Sequence, residues 1–272
     1  MAVWHVGFSS AKRGTPFPGE DRRRKAVRAL TEAAGDHLVL FSLVHEHNHT
    51  MLWTEGGIDK LGADVQRALN ALSEEPLVDP WTERVDGTRR KEGLLRYFLQ
   101  QPSHHNIGVH DALWTGSCFQ DLAGARVIDG FRPRIWDLLP HAARSVIYRH
   151  VRLPRPVEPV SLAQVRVLGA VRLMAAASAA LTAAPRLRGR TTLEVRAKAA
   201  VVHLGERSGL SAAETCWALG IVPRTYRRLR ALEPSDADVR AVRQRLALEE
   251  AVASATGGLS ITAHVRRLHL LG

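Results

Sequence analysis

The run VRLPRPVEPV places prolines at 154, 156 and 159 and divides a chain of two different textures. Proline fixes φ and lacks a backbone N–H, so prolines at this density exclude both helix and central strand and favour a stiff linker. Ahead of the run, strand-like and helix-like patterns alternate. Behind it the pattern is almost wholly helical. The expectation is a first domain over residues 1–150, a proline-rich linker over 151–160 and an all-helical domain over 161–272. The texture corresponds to a domain of mixed strands and helices followed by an all-α unit.

Within the first domain, VWHVGFS (residues 3–9) reads as a strand and Glu20–Ala34 as a basic amphipathic helix. HLVLFSLVH, from His37, is apolar and β-branched and fits a central strand. NHTMLWT extends that strand or forms the next, and the glycines at 56 and 57 end it. Residues 58–73 read as a helix, PLVDPWTERVDG as a loop or edge segment, and KEGLLRYFLQQ (residues 91–101) as a helix stopped by Pro102. In the second domain, SLAQVRVLGAVRLMAAASAALTAA reads as one long helix broken at Pro185. TTLEVRAKAAVVHLGERSG gives another, and SDADVRAVRQRLALEEA begins with an Asp-capped helix start.

The charge narrows the function. A formal net charge of +11 with a pI near 10.7 exceeds what solubility needs and favours phosphate backbones as partners. A high-GC genome that prefers arginine offers a blander account of the same composition. Residues 211–231 have the spacing of a helix-turn-helix: Ser211 as N-cap, a helix to Leu219, Gly220 at the turn and Pro223 opening a second helix. Ile221, Tyr226 and Leu229 are its expected buried points. Arg224, Thr225, Arg227, Arg228 and Arg230 then project outward for phosphates or base edges. An ordinary helical hairpin has the same pattern. Two cysteines, Cys118 and Cys216, lie outside any CxxC spacing, which points to a reducing cytoplasm. No uninterrupted apolar run of about eighteen residues suggests a membrane span, and the start lacks a signal-peptide pattern.

His45, His47 and His49 stand at every second position of FSLVHEHNHTMLW, so on a strand they share one face. Two imidazoles supply two ligands for a metal. Tyr97 and Gln101, four apart on a helix, share a face as well, and Gln101 offers a hard carbonyl oxygen suited to Mg²⁺ or Mn²⁺. Tyr97 would lie one turn away. His104 and His105, after Pro102, read as solvated loop residues; Trp4, Trp53 and Trp114 read as core, and Cys118 as a small buried apolar residue.

His47-Asn48-His49 followed by Tyr97, Phe98, Leu99 and Gln101 resembles the His-hydrophobic-His and Tyr-x-x-x-Gln/Asn signatures of single-tyrosine HUH transposases, the REP-associated tyrosine transposases in particular. LVHEHNHTML is similar to their "LMPNHVHLL", RYFLQQPS to their "RYIHLNPV", ALWTGS to their "WSS" tract and VWHVGFS to their first strand, over roughly residues 3–130. Some relatives carry a helix-turn-helix like that of the bacterial replication initiator's origin-binding domain, which the C-terminal half resembles. The resemblance implies an α+β first domain, an antiparallel sheet flanked by helices of the HUH, ferredoxin-like kind, and an enzyme that cleaves and rejoins single-stranded DNA hairpins. In it Tyr97 is the nucleophile that forms a 5′-phosphotyrosine, and His47, His49 and Gln101 hold the divalent metal. It also implies a nucleoid-associated, cytoplasmic protein, monomeric or homodimeric. The departure is Asn48, where the family has a bulky apolar residue. A catalytically inactive, domesticated DNA-binding regulator and a nuclease that hydrolyses by water are the rival expectations.

Overall fold

The computed structural model describes residues 1–184 and 186–257. Pro185, expected to break a helix, and residues 258–272, the end of the expected second domain, lie outside the described residues. The chain forms two compact units. Among the described residues, unit 1 comprises Met1–Leu122 and Ile128–Pro156, and unit 2 comprises Ala123–Val127 and residues 157–257. The second unit thus takes a short segment from within the sequence of the first. Val157 and Val160, in the proline-rich run, accept hydrogen bonds from Gln244 and Arg243, so the end of that run is fastened to unit 2.

Unit 1 is built on β1 (Ala2–Ser9), α1 (Glu20–Ala34), β2 (Leu38–Leu43), β3 (His47–Thr54), α2 (Ile58–Asn70), β4 (Trp81–Arg84) and α3 (Thr88–His104). The four strands form one antiparallel sheet in the order β2-β3-β1-β4. The α+β class with an antiparallel sheet and flanking helices is therefore as expected. PLVDPWTERVDG supplies β4, the edge strand. Residues 44–46 turn the chain from β2 into β3, so His45 lies in that turn rather than on a strand with His47 and His49.

Each face of the sheet is covered by different helices. Val6, Phe8, Leu43 and Asn48 share one face through the pairings Phe8↔Asn48 and Leu43↔Asn48. On α1, buried Ala26, Val27, Leu30 and Ala34 recur at helical spacing, the stripe an amphipathic helix presents to a sheet. α1 packs on α2 and β2, and α2 on β1. The outer edge of β2 is capped rather than open. Leu43 N–H donates to Gly116 O at 2.9 Å, Cys118 N–H to Phe41 O at 3.2 Å, and Trp114 Nε1–H to Leu43 O at 2.8 Å.

α3 runs past Pro102 to His104, against the expectation that the proline stops it. The reason is a side-chain substitute for the missing helix bonds. Buried Asp111 accepts from Ser103 N–H at 2.8 Å and from Ser103 Oγ–H at 2.6 Å, and Arg152 pairs with it at 3.2 Å. The donor just beyond the proline is thereby satisfied, so the final turn forms. Short helices α4 (Phe119–Leu122), α5 (Ile135–Leu138) and α6 (Arg144–His150) complete the unit.

Unit 2 contains α7 (Leu162–Leu181), α8 (Thr192–Ser208), α9 (Ala212–Leu219), α10 (Pro223–Arg230) and α11 (Asp236–Ala255). The expected single long helix is broken at Gly169, whose φ of 81° is not helical. Reciprocal capping boxes start three helices: Ser161 with Gln164, Thr191 with Glu194 and Ser211 with Glu214. Each satisfies two N-terminal donors that have no partner inside the helix. The cap of α11 is Ser235 rather than an aspartate, with Asp236 and Asp238 in its first turn. Buried Asp238 receives Arg196 of α8 in a two-pronged pair at 2.5 and 2.6 Å. By length and composition α7 alone among the described residues could cross a membrane. Arg166 and Arg172 interrupt its apolar run, and Leu173, Ala176, Ala177 and Ala180 are buried in the unit's core.

Asn48 is fully buried between Phe8 and Leu43, and among the described residues neither its Oδ1 nor its Nδ2 has a hydrogen-bond partner. An unpaired amide in an apolar layer costs about 1–3 kcal/mol. Asn48→Leu, close in volume, is expected to stabilise the protein by about 1–2 kcal/mol, read as a higher Tm in thermal unfolding.

Candidate functional site

The second face of the sheet carries the histidines. β1 and β3 pair Gly7 with His49, Ser9 with His47 and His5 with Met51, and β4 sets Trp81 opposite Gly7. Directly opposed residues share a face, so His5, His47, His49 and Trp81 all lie on the side that α3 covers. Phe98 of α3 is wholly buried there, its ring 5.4 Å from that of His5 and 6.0 Å from that of His49. Tyr97, the neighbouring residue on α3, remains 39% exposed, so its hydroxyl reaches the site from the solvent side.

Three rings form a chain. Nε2 of His5 lies 3.2 Å from Nδ1 of His49, and Nε2 of His49 lies 3.3 Å from the Tyr97 hydroxyl. The His47 ring is stacked on that of His49 at 6.4 Å, with Nδ1 3.5 Å from Ser9 Oγ and Nε2 3.3 Å from Glu46. Gln101 is fully buried, its Oε1 accepts from His105 Nε2–H at 3.1 Å, and its own Nε2 has no partner among the described residues. His105 in turn stands 5.9 Å ring to ring from His47 and 6.2 Å from His45. His45 Nδ1 lies 3.0 Å from the Thr15 hydroxyl.

The phenol and one imidazole of the sequence-derived set are thus in hydrogen-bond range. The carboxamide meets the others through His105. Among the described residues no three His, Cys, Asp or Glu side chains are grouped so as to hold a metal by themselves. A site built on His47, His49 and Gln101 needs the carboxamide oxygen as its third donor. The Gln101 oxygen is held by His105 Nε2–H, and the atom without a partner among the described residues is the amide nitrogen, which cannot ligate. Two imidazole nitrogens and a carboxamide oxygen form a donor set of the kind that Mg²⁺ and Mn²⁺ accept once that oxygen is released from His105.

Two contributors escaped the sequence. His105 is a site residue because α3 continues past Pro102, which puts it one turn beyond Gln101; the i, i+4 spacing signals this once the proline is allowed inside the helix. His5 carries no local signal, since its place beside His49 is set by strand register. Trp81 completes the cluster, edge-on to His5 at 4.7 Å. Of the tryptophans expected in the core, Trp114 is buried under Arg23 at 3.9 Å, while Trp4 and Trp53 are half-buried. Cys118 is buried as expected.

In unit 2, α9 and α10 meet at Gly220, whose φ of 61° and ψ of 39° turn the chain in the left-handed region that glycine enters without strain. Tyr226 and Leu229 are buried, and Ile221 is half-buried against the core. Arg224, Arg227, Arg228 and Arg230 are exposed and Thr225 is half-exposed. Arg230 pairs with Glu206 at 2.6 Å. Among the described residues no carboxylate pairs with Arg224, Arg227 or Arg228.

Burial, and then the neighbouring imidazoles, lower the His49 pKa to about 3, and burial lowers that of His5 to about 4. In the unfolded chain both titrate near 6.5. Between these values the unfolded chain binds more protons, so stability rises with pH through this window and is lost as acid approaches the folded pKa values. The His5 shift alone corresponds to roughly 3 kcal/mol at about 1.4 kcal/mol per unit. Urea unfolding at pH 7 and pH 4.5 is expected to show a marked acid loss of stability that is smaller in His49→Leu. No protein-family model, curated protein or solved structure matches the chain, so the meaning of this site rests on its own geometry.

Proposed function

We propose that the chain is a DNA strand transferase of the single-tyrosine kind, which cleaves and rejoins single-stranded DNA through a 5′-phosphotyrosine, with unit 2 as a helix-turn-helix DNA-binding domain. The observation that carries this reading is the Tyr97 hydroxyl 3.3 Å from His49 Nε2, on a helix whose next turn supplies Gln101. The order of elements, βαββαβ with the sheet order β2-β3-β1-β4, supports the ferredoxin-like arrangement that the resemblance implies.

His47, His49 and Gln101 would hold a Mg²⁺ or Mn²⁺. When bound, such a cation withdraws charge from a phosphate oxygen and from a phenolate. Tyr97 does the bond-making: its oxygen attacks phosphorus, a P–O bond to Tyr97 forms, and the P–O3′ bond breaks. The 3′ oxygen leaves with a proton, and the phenol proton passes to solvent, which the half-exposed hydroxyl touches. Reversal, with a 3′-hydroxyl attacking the phosphotyrosine, rejoins a strand with no other energy source. Phe98 and Trp81 exclude water from the inner side of the rings. The exposed Arg224, Arg227 and Arg228 suit duplex phosphates.

A second reading, a catalytically inactive regulator descended from such an enzyme, draws on one observation, the unpaired Asn48 between the two histidines. The two part on a denaturing gel after incubation with Mn²⁺ and hairpin oligonucleotides. A covalent adduct is expected from the wild type and is lost in Tyr97→Phe, which has no phenol oxygen to bond to phosphorus. Binding with no adduct in any metal favours the regulator, and cleavage that survives Tyr97→Phe indicates hydrolysis by water. For unit 2, Arg227→Ala and Arg228→Ala are each expected to weaken duplex binding across sequences. Each should also reduce the slope of log K against log salt by about 1, measured by fluorescence anisotropy.

A further inference from the structure

His5 is the member of the three-ring chain to which neither the proposed chemistry nor the resemblance gives a part. It is 4% exposed, its Nε2 faces His49 Nδ1 at 3.2 Å, and its Nδ1 is buried with no partner among the described residues. One proton bridges the two rings, and it can be placed in two ways. If His5 Nε2–H donates, neutral His49 carries its own proton on Nε2, where it meets Tyr97 and leaves no lone pair for a cation. If His49 Nδ1–H donates, the Nε2 lone pair of His49 is free, and the proton of His5 sits on its buried Nδ1. Only the second arrangement lets His49 act as a ligand.

We propose that His5 is a positioning residue: it accepts the Nδ1–H of His49 and so keeps the Nε2 lone pair of His49 free of a proton, facing the Tyr97 hydroxyl here and open to a cation in place of that contact. The cation half of this inference rests on the proposed function above. A ligating histidine commonly gives its second N–H to a carboxylate or a backbone carbonyl. Among the described residues the acceptor within reach of His49 Nδ1 is the imidazole of His5. The surroundings hold that acceptor in place. The Trp81 ring stands edge-on to His5 at 4.7 Å and Phe98 lies on it at 5.4 Å. Trp81 can lie there because Gly7 is bare: a Cβ at that position would fall 2.2 Å from Trp81 Nε1.

The test separates an acceptor from mere packing. His5→Gln keeps an acceptor oxygen on a side chain of similar reach, whereas His5→Phe keeps the ring packing and has none. Long-range ¹H–¹⁵N NMR of the metal-free protein reads the His49 tautomer directly. Nδ1–H is expected in the wild type and in His5→Gln, and Nε2–H in His5→Phe. Mn²⁺ titration by calorimetry is expected to show affinity reduced about 10–100-fold in His5→Phe and within about 3-fold of wild type in His5→Gln, by the usual worth of such a partner. Wild-type His49 found as Nε2–H overturns the proposal, and so does His5→Phe binding Mn²⁺ like the wild type. The wild-type spectrum decides the tautomer even if neither variant folds. Wild-type protein that shows Nδ1–H yet binds no Mn²⁺ overturns the cation half and the ligand reading with it, while the hydrogen-bond polarity stands.

Discussion

The antiparallel register between β1 and β3 is the constraint on which unit 1 depends. It sets Gly7 against His49, Ser9 against His47 and Phe8 against Asn48. A slip by one residue would turn His5 into the layer under α1 and α2 and bring Phe8 to the side of α3, because side chains alternate between faces. The register is defended from both sides: Val6, Phe8, Leu43 and Leu52 are buried on one face, and His5, His49 and Phe98 are packed together on the other. The ring chain from His5 to Tyr97 follows from that pairing.

The second support is the last turn of α3. Without Asp111 to take the Ser103 N–H, the helix would end at the proline, and His105 would have no fixed relation to Gln101. A buried carboxylate held by a serine and an arginine is costly to assemble, since charge leaves water only when its hydrogen bonds are replaced. Here the replacement groups are a helix end and Arg152, so the same carboxylate that satisfies the helix also anchors the loop after it. Rigid elements on both sides of the site, a paired strand and a terminated helix, position side chains more closely than loops do.

Unit 2 obtains its helices more locally. Three capping boxes, a glycine turn and Pro223 at the start of α10 are all sequence-adjacent devices, and α7, α8 and α11 then bury an alanine- and valine-rich core. For this reason the starts of α8, α9 and α10 were readable to within a residue, whereas the break of α7 at Gly169 was hidden in an otherwise continuous apolar helical pattern. In unit 1 the strands and the first two helices were legible for the same reason: period-2 and period-3.6 patterns with glycine and proline punctuation. The start of α3 at Thr88 and its passage through Pro102 were not, because the group that makes the passage possible lies nine residues away, at the start of the 3-10 turn Asp111–Leu113.

What the sequence by itself determined is a list of elements and a list of reactive side chains: alternating histidines on a strand, a tyrosine and a glutamine one turn apart, and a turn between helices flanked by arginines. Spacing fixes which residues share a face within one strand or one helix, and nothing more. Which faces meet was decided by tertiary structure alone. Strand pairing brought His5 to His49, the Asp111 contact carried α3 far enough to add His105, and sheet packing buried Asn48. These depend on hydrogen bonds between residues eight to forty-four positions apart, and no local pattern encodes the register of two distant segments.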